Sequence, residues 1–167
     1  MNRYLIEIYT DGSCHTDHKV GAWAAIILTG DEKIILKGEA QDTTHNRMEL
    51  LAVINAIEFA GEKFKNEPIA VYTDSQYVFR IPERKEKLKK NHFLTKKGNQ
   101  LQNSDLVQKL IGQIEAHKVA FIKVKAHQQQ VTKADTHINY NSEVDKLVRR
   151  MVREAVKLAL HHAQTEN

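Results

Sequence analysis

The sequence predicts an α/β protein: a five-stranded mixed sheet, three antiparallel strands and then parallel ones, flanked by helices. Two observations carry that expectation. Three apolar runs at the start of the chain follow one another across short connections, which makes an antiparallel meander. From residue 44 onward helical and strand patterns alternate, and a strand reached through a helix usually lies parallel to its predecessor. The 167 residues suit one domain, expected over 1–160 with 161–167 as a tail.

Residues 4–11 read as the first strand, 21–29 ("GAWAAIILT") as the second, and 33–40 ("KIILKGEA") as the third, after a Gly30-Asp31 turn. Leu50, Val53, Ile54 and Ile57 then recur at helical spacing, and Thr43 or Thr44 can cap that helix. Residues 69–74 read as the fourth strand, most economically parallel to the first. A short helix over 75–80 and a charged one over 83–90 follow. "SDLVQKLIGQIEAH" is amphipathic with Ser104 leading, "KVAFIKVKA" is the fifth strand, and 142–160 is a final helix. Val144, Leu147, Val148, Met151 and Ala155 mark its inward face.

Composition narrows the class. At 41% hydrophobic and 28% charged, the chain can bury a core and is expected to be ordered. A formal charge of +4 fits a polyanionic partner or a solvated basic surface. Cys14 is the only cysteine, which excludes an internal disulfide and argues against a thiolate zinc site. Glu7 interrupts the first apolar run, so the N-terminus does not read as a signal peptide. The apolar stretch "AWAAIIL" is far too short to span a bilayer, and a cytoplasmic location is expected.

Two strands finish in the same tripeptide. "YTDGSC" begins at Tyr9, and "YTDSQYV" begins at Tyr72. If the strands are parallel neighbours, Asp11 and Asp74 share one sheet edge, where open α/β sheets bind ligands. Glu49 heads a stripe of small residues, Ala52, Ala56 and Ala60, that lets its helix approach the sheet. Asp145 lies near the start expected for the last helix. Each acid also has an ordinary reading: Asp74 as a cap before Ser75, Ser142 to Asp145 as a capping box, Asp11 before Gly12 as turn chemistry, Glu49 as a first-turn acid. Four acids converging without a cation would repel one another. A hard divalent ion, Mg²⁺ or Mn²⁺, removes that cost.

Five ordered segments, "YTDGSC", "TTHNRMEL", "YTDSQYV", "VKAH" and "NSEVDKL", resemble type 1 ribonuclease H over about residues 4–160. The resemblance implies the ribonuclease H-like fold and hydrolysis of the RNA strand of RNA–DNA hybrids to 5′-phosphate and 3′-hydroxyl ends. It implies that Asp11, Glu49, Asp74 and Asp145 hold two Mg²⁺ ions with substrate, Mn²⁺ being a possible substitute. His127 takes the place of the family's mobile-loop histidine, which assists proton transfer or product departure. Gly12, Ser13, Thr44, Asn46 and Asn103 match substrate-contacting positions. Within the basic segment 80–97, Arg84, Lys85, Lys87, Lys89 and Lys90 are expected to meet phosphates. The resemblance implies no obligate protein partner and no membrane, and a monomer is expected. No separate N-terminal hybrid-binding domain is expected, since the first strand starts almost at Met1.

The sequence departs from the better-known bacterial pattern in places. Asp17 stands where a contact asparagine is usual, His45 replaces a common Asn or Gln, and the stretch from His127 to Asp145 is longer than usual. The basic segment lacks tryptophan. Transposases, integrases and junction resolvases place acids on the same fold, but "RMEL" and "TDSQYV" argue against them. A non-catalytic hybrid-binding module is the remaining alternative, and the presence of all four acids argues against it.

Overall fold

Strand β1 (Ile6–His15) runs through the middle of the sheet because it finds a partner on both edges. The computed structural model describes residues 5–125 and 136–166, and of 136–139 the backbone alone. β2 (Val20–Leu28) pairs antiparallel with β1, and β3 (Lys33–Ala40) antiparallel with β2. On the other side β4 (Ile69–Thr73) pairs parallel with β1, and β5 (Val119–Lys123) parallel with β4. The order is β3-β2-β1-β4-β5, the mixed sheet that the sequence predicts.

The helices are α1 (His45–Lys63), α2 (Gln76–Phe79), α3 (Ile81–Lys90), α4 (Ser104–Ala116) and α5 (Thr136–Thr165). Alternation along β1 divides the core into two layers. Ile6 and Ile8 pack with Leu50, Val53, Ile54 and Ile57 of α1 and with Leu110 of α4. Tyr9 faces the other way and packs with Ala24, Ile26, Val144, Val148 and Met151 beneath α5. Each fully buried Ile or Leu contributes about 1.5–3 kcal/mol relative to exposure, so both helical layers are strongly held. Tyr9 and Tyr72 stack with ring centroids 4.7 Å apart, and Trp23 lies against Gly38.

The structure corrects several boundaries. β1 does not stop at Asp11. Residues Asp11 to His15 continue to pair with Ala24 to Val20 of β2 after β4 has ended. An antiparallel partner alone is enough to carry the strand onward. Asn103, not Ser104, occupies the N-cap position of α4, without a side-chain capping bond, and α3 starts at Ile81 with Pro82 in its first turn, where a missing N–H costs nothing. α5 starts at Thr136 rather than at 142 and runs on through residues 161–165. Asp145 therefore sits in the third turn, and the capping-box reading of Ser142 and Asp145 falls. The polar opening "THINYN" gave no apolar period to announce the extra turns.

Candidate active site

The repeated Tyr-Thr-Asp has a structural reason. β1 and β4 pair in parallel with Tyr9 opposite Tyr72, so the acids two residues further on come level with each other. Asp74 lies just past the end of β4. Ser75 is the N-cap of α2, its hydroxyl accepting from Val78 N at 3.2 Å.

Glu49 reaches the same edge from the opposite layer. It stands in the second turn of α1, with no acid in the first, so the helix-dipole reading does not apply. Gly12 makes its approach possible. A Cβ on Gly12 would lie 2.3 Å from the backbone nitrogen of Glu49 and 2.3 Å from the carbonyl carbon of Met48. The bare backbone of β1 thus lets α1 settle directly on the strand. The adjoining small residues Ala52, Ala56 and Ala60 are fully buried on the same helix.

One carboxylate oxygen from each of Asp11, Glu49 and Asp74 lies within 4.8 Å of the others. Asp11 is 7% exposed and Glu49 only 2%. Glu49 Oε1 stands 3.5 Å from His45 Nε2, while its Oε2 is buried with no hydrogen-bond partner. Burial, and then the charges of Asp74 and Asp145, push the Asp11 carboxyl up to about 7. Burial, with Asp11 and Asp74 beside it, holds Glu49 well above the ordinary carboxylate range. Charges crowded this way, with an orphaned buried oxygen among them, fit a divalent cation: a hard cation would satisfy the oxygen and cancel the repulsion.

The fourth acid is placed differently. Asp145 lines the same open cleft of about 400 Å³. It is not within the three-acid group, and its Oδ1 accepts from Arg149 Nε at 3.0 Å, one helical turn on. It stands at the rim, close enough to raise the Asp11 carboxyl.

Of the residues expected to touch substrate, Gly12, Ser13 and Asn46 line this cleft. Thr44 is the N-cap of α1, accepting from Arg47 N at 3.3 Å. Asn103 is half-buried and bonded to Arg47 and Tyr77. On α3, Lys85 and Lys89 turn towards Glu115 of α4, with Lys89 Nζ 2.6 Å from Glu115 Oε1. Among the described ion pairs, Arg84, Lys87 and Lys90 have no acidic partner. The intrahelical pairs Glu83–Lys87 and Glu86–Lys90, the ordinary explanation for this charged helix, are not among them. His127 lies outside the described residues, as does the segment that follows it to 135.

Sequence reasoning gave no site role to three residues at or near the cleft. Arg149 was readable as the i+4 partner of Asp145. His45 is i−4 from Glu49 by the same spacing. Arg47 gave no signal, because its partners come from a distant helix.

Comparisons with known proteins agree with this geometry. A family model described as RNase H matches residues 3–153. A ribonuclease H of Caldicellulosiruptor saccharolyticus is 36% identical over 151 residues, covering 89% of this chain and 97% of that protein. One of Neorickettsia sennetsu is 38% identical over 152 residues, covering 90% of this chain and 93% of that protein. Among solved structures, LC9-RNase H1, described as a type 1 RNase H with the type 2 active-site motif, superposes with a TM-score of 0.76 at 20% identity. That match covers 92% of this chain and 74% of that one, and shows a shared fold. With the family model spanning nearly the whole chain and close-length relatives above 30% identity, this protein belongs to the ribonuclease H family.

Proposed function

We propose that the protein is an endonuclease that hydrolyses the RNA strand of RNA–DNA hybrids, leaving 5′-phosphate and 3′-hydroxyl ends. The observation that carries this reading is the meeting of Asp11, Glu49 and Asp74 oxygens within 4.8 Å at the end of the sheet, in a member of this family. These three, with Asp145 at the rim, would hold two Mg²⁺ ions, for which Mn²⁺ can substitute. When bound, such ions supply a water nucleophile at neutral pH and offset charge on the attacking and leaving oxygens.

The chain's own groups do the rest. The carboxylates fix where the scissile linkage must sit. Gly12, Ser13 and Asn46 line the path of the strand beside it, and Asn103 and Thr44 flank that path. His127 is assigned the movement of a proton to or from the reacting oxygens, a task suited to an imidazole near neutral pH. The protein acts as a monomer in the cytoplasm. Among the described residues, no helix is long and apolar enough to cross a membrane.

Labelled RNA–DNA hybrid, double-stranded RNA and duplex DNA, each offered with Mg²⁺ and again with EDTA, test the reading. Only the hybrid with Mg²⁺ should be cut, in the RNA strand. Binding of all three without cleavage would leave a nucleic-acid-binding module and end the proposal.

Helix α3 supplies a second test. Replacing Arg84, Lys87 and Lys90 together with Gln should weaken hybrid binding. It should also lower the slope of log K against log salt by about 1 for each phosphate left without its cation. Replacing Lys85 and Lys89, already held by Glu115, should change the slope less. Equal slopes in both variants and wild type would make α3 a solvated face.

A further inference from the structure

Four cations of α5 have no part in the reading above. Lys146, Arg150, Arg153 and Lys157 are all exposed, and they recur at intervals of four, three and four residues. At about 100° per residue they share one sector of about 60° on the helix surface. That sector faces away from the side on which Val144, Val148 and Met151 enter the core. It begins beside the cleft and leads away from it. Asp145 and Arg149 line the cleft on one flank of the helix. Lys146 and Arg150 line a groove of about 290 Å³ with Ile35 of β3 on the other.

No acid answers these charges. Among the described ion pairs, none of the four has an acidic partner. Glu143 is taken by Lys33 at 2.6 Å, and Asp145 by Arg149 at 3.0 Å. Glu154 stands four residues after Arg150 and three before Lys157, the spacing of a helical ion pair. It pairs with neither among the described ion pairs. A helix face that is merely solvated alternates its signs. Here like charges follow one another at i,i+3 and i,i+4, which weakens the helix. A ligand of opposite charge accounts for a stripe that costs the fold and adds nothing to it.

The span indicates the kind of ligand. From Lys146 to Lys157 the helix rises about 16 Å, which matches about five phosphates of one duplex strand at about 3.4 Å of axis each. An anionic membrane fits less well. A helix lying on a membrane needs its apolar face free, and that of α5 is buried in the core.

We propose that Lys146, Arg150, Arg153 and Lys157 form a second phosphate site, which tracks the backbone of the nucleic acid where it continues past the cleft. The proposal rests on the cleft being the hybrid site, which fixes where that strand begins. Phosphate contacts position a duplex without reading its sequence, so the stripe extends the footprint and leaves the choice of strand to the cleft.

The test is equilibrium binding in EDTA, which prevents cleavage. It compares wild type, a fourfold variant (Lys146→Gln, Arg150→Gln, Arg153→Gln, Lys157→Gln) and the pair Arg153→Gln with Lys157→Gln. Probes are a blunt hybrid that just fills the cleft and the same hybrid extended by duplex DNA at either end. Wild type should bind one extended probe about tenfold more tightly than the blunt one at low salt, with a slope of log K against log salt steeper by about 3. The fourfold variant should lose both gains. It should still bind the blunt hybrid, cut it with Mg²⁺ as wild type does, and melt no lower. The pair, which lies farther from the cleft, should lose about half of the added slope, and it keeps the test decisive if the fourfold variant misfolds. Equal gains in wild type and both variants would overturn the proposal and leave a solvated face. Binding to vesicles of anionic lipid that depends on the four cations, with no gain from either extension, would overturn it in favour of a lipid surface. A wild type that gains from the extension but cuts no hybrid would support the stripe and end the reading of the cleft.

Discussion

Asp11→Asn is expected to lower hybrid cleavage by about 10³-fold or more, while the metal-free fold becomes more stable. The loss follows from removing one of three carboxylates that meet within 4.8 Å. Weakened charge stabilisation of several kcal/mol in the transition state converts to that factor at about 1.4 kcal/mol per tenfold. The gain follows from the same crowding. The Asp11 carboxyl is pushed from 3.8 up to about 7 by burial and by Asp74 and Asp145. Its folded-state pKa lies above its unfolded one, so the folded protein binds more protons than the unfolded chain in that window. Metal-free wild type should therefore lose stability as pH rises from about 4 to about 7, and Asp11→Asn should remove Asp11's share of that slope. Thermal denaturation in EDTA across this range reads the slope. Adding Mg²⁺ or Mn²⁺ should raise the melting temperature of wild type and do much less for the variant. Near-normal turnover by Asp11→Asn would take Asp11 out of the site, and an unchanged slope would mean that the acids do not strain the fold.

Gly12→Ala is the second large effect, and it acts on the fold itself. The added Cβ meets backbone: Glu49 N and Met48 C at 2.3 Å and Met48 O at 2.6 Å. A side chain could rotate away, whereas a helix backbone has to lift. Overpacking of this kind costs about 3 kcal/mol, which for a chain of this size lowers the melting temperature by about 6–12 °C. Glu49 moves with the helix, so activity should fall by about 10²-fold even where the protein folds, as expected for a misplacement of about 1 Å. Gly112→Ala is the control. It lies on the exposed side of α4, where a Cβ meets nothing within 4 Å, and the change should stabilise by about 0.5–1 kcal/mol through helix propensity. A Gly12→Ala protein that melts with wild type would refute the account of how α1 comes to rest on β1.

The two variants concern neighbouring residues that differ in what was legible. Asp11 stands out in the sequence because its tripeptide returns at Asp74, and parallel pairing of the two strands is inferable from the intervening helix. Gly12 reads there as a turn residue and a substrate contact. Its use as bare backbone under a helix has no signature, since nothing in "DGSC" says which helix crosses it. Thr44 shows the opposite case: a capping role predicted from local chemistry and found as such. Asp145 shows a local pattern that misled. Ser142-x-x-Asp145 looks like a helix start, but α5 had already run for six residues.

By itself the sequence determined the order of strands and helices along the chain, the apolar stripes of α1 and α5, the candidate acids and the family. These depend on periodicity and local chemistry, which a chain carries along its length. Tertiary structure alone decided that three acids close together while Asp145 stays at the rim with Arg149. It also decided that two lysines of α3 are committed to Glu115 and that Arg47 reaches across to Asp105. Those distances depend on strand register and on how closely one backbone can approach another, and both are set only when separate elements pack.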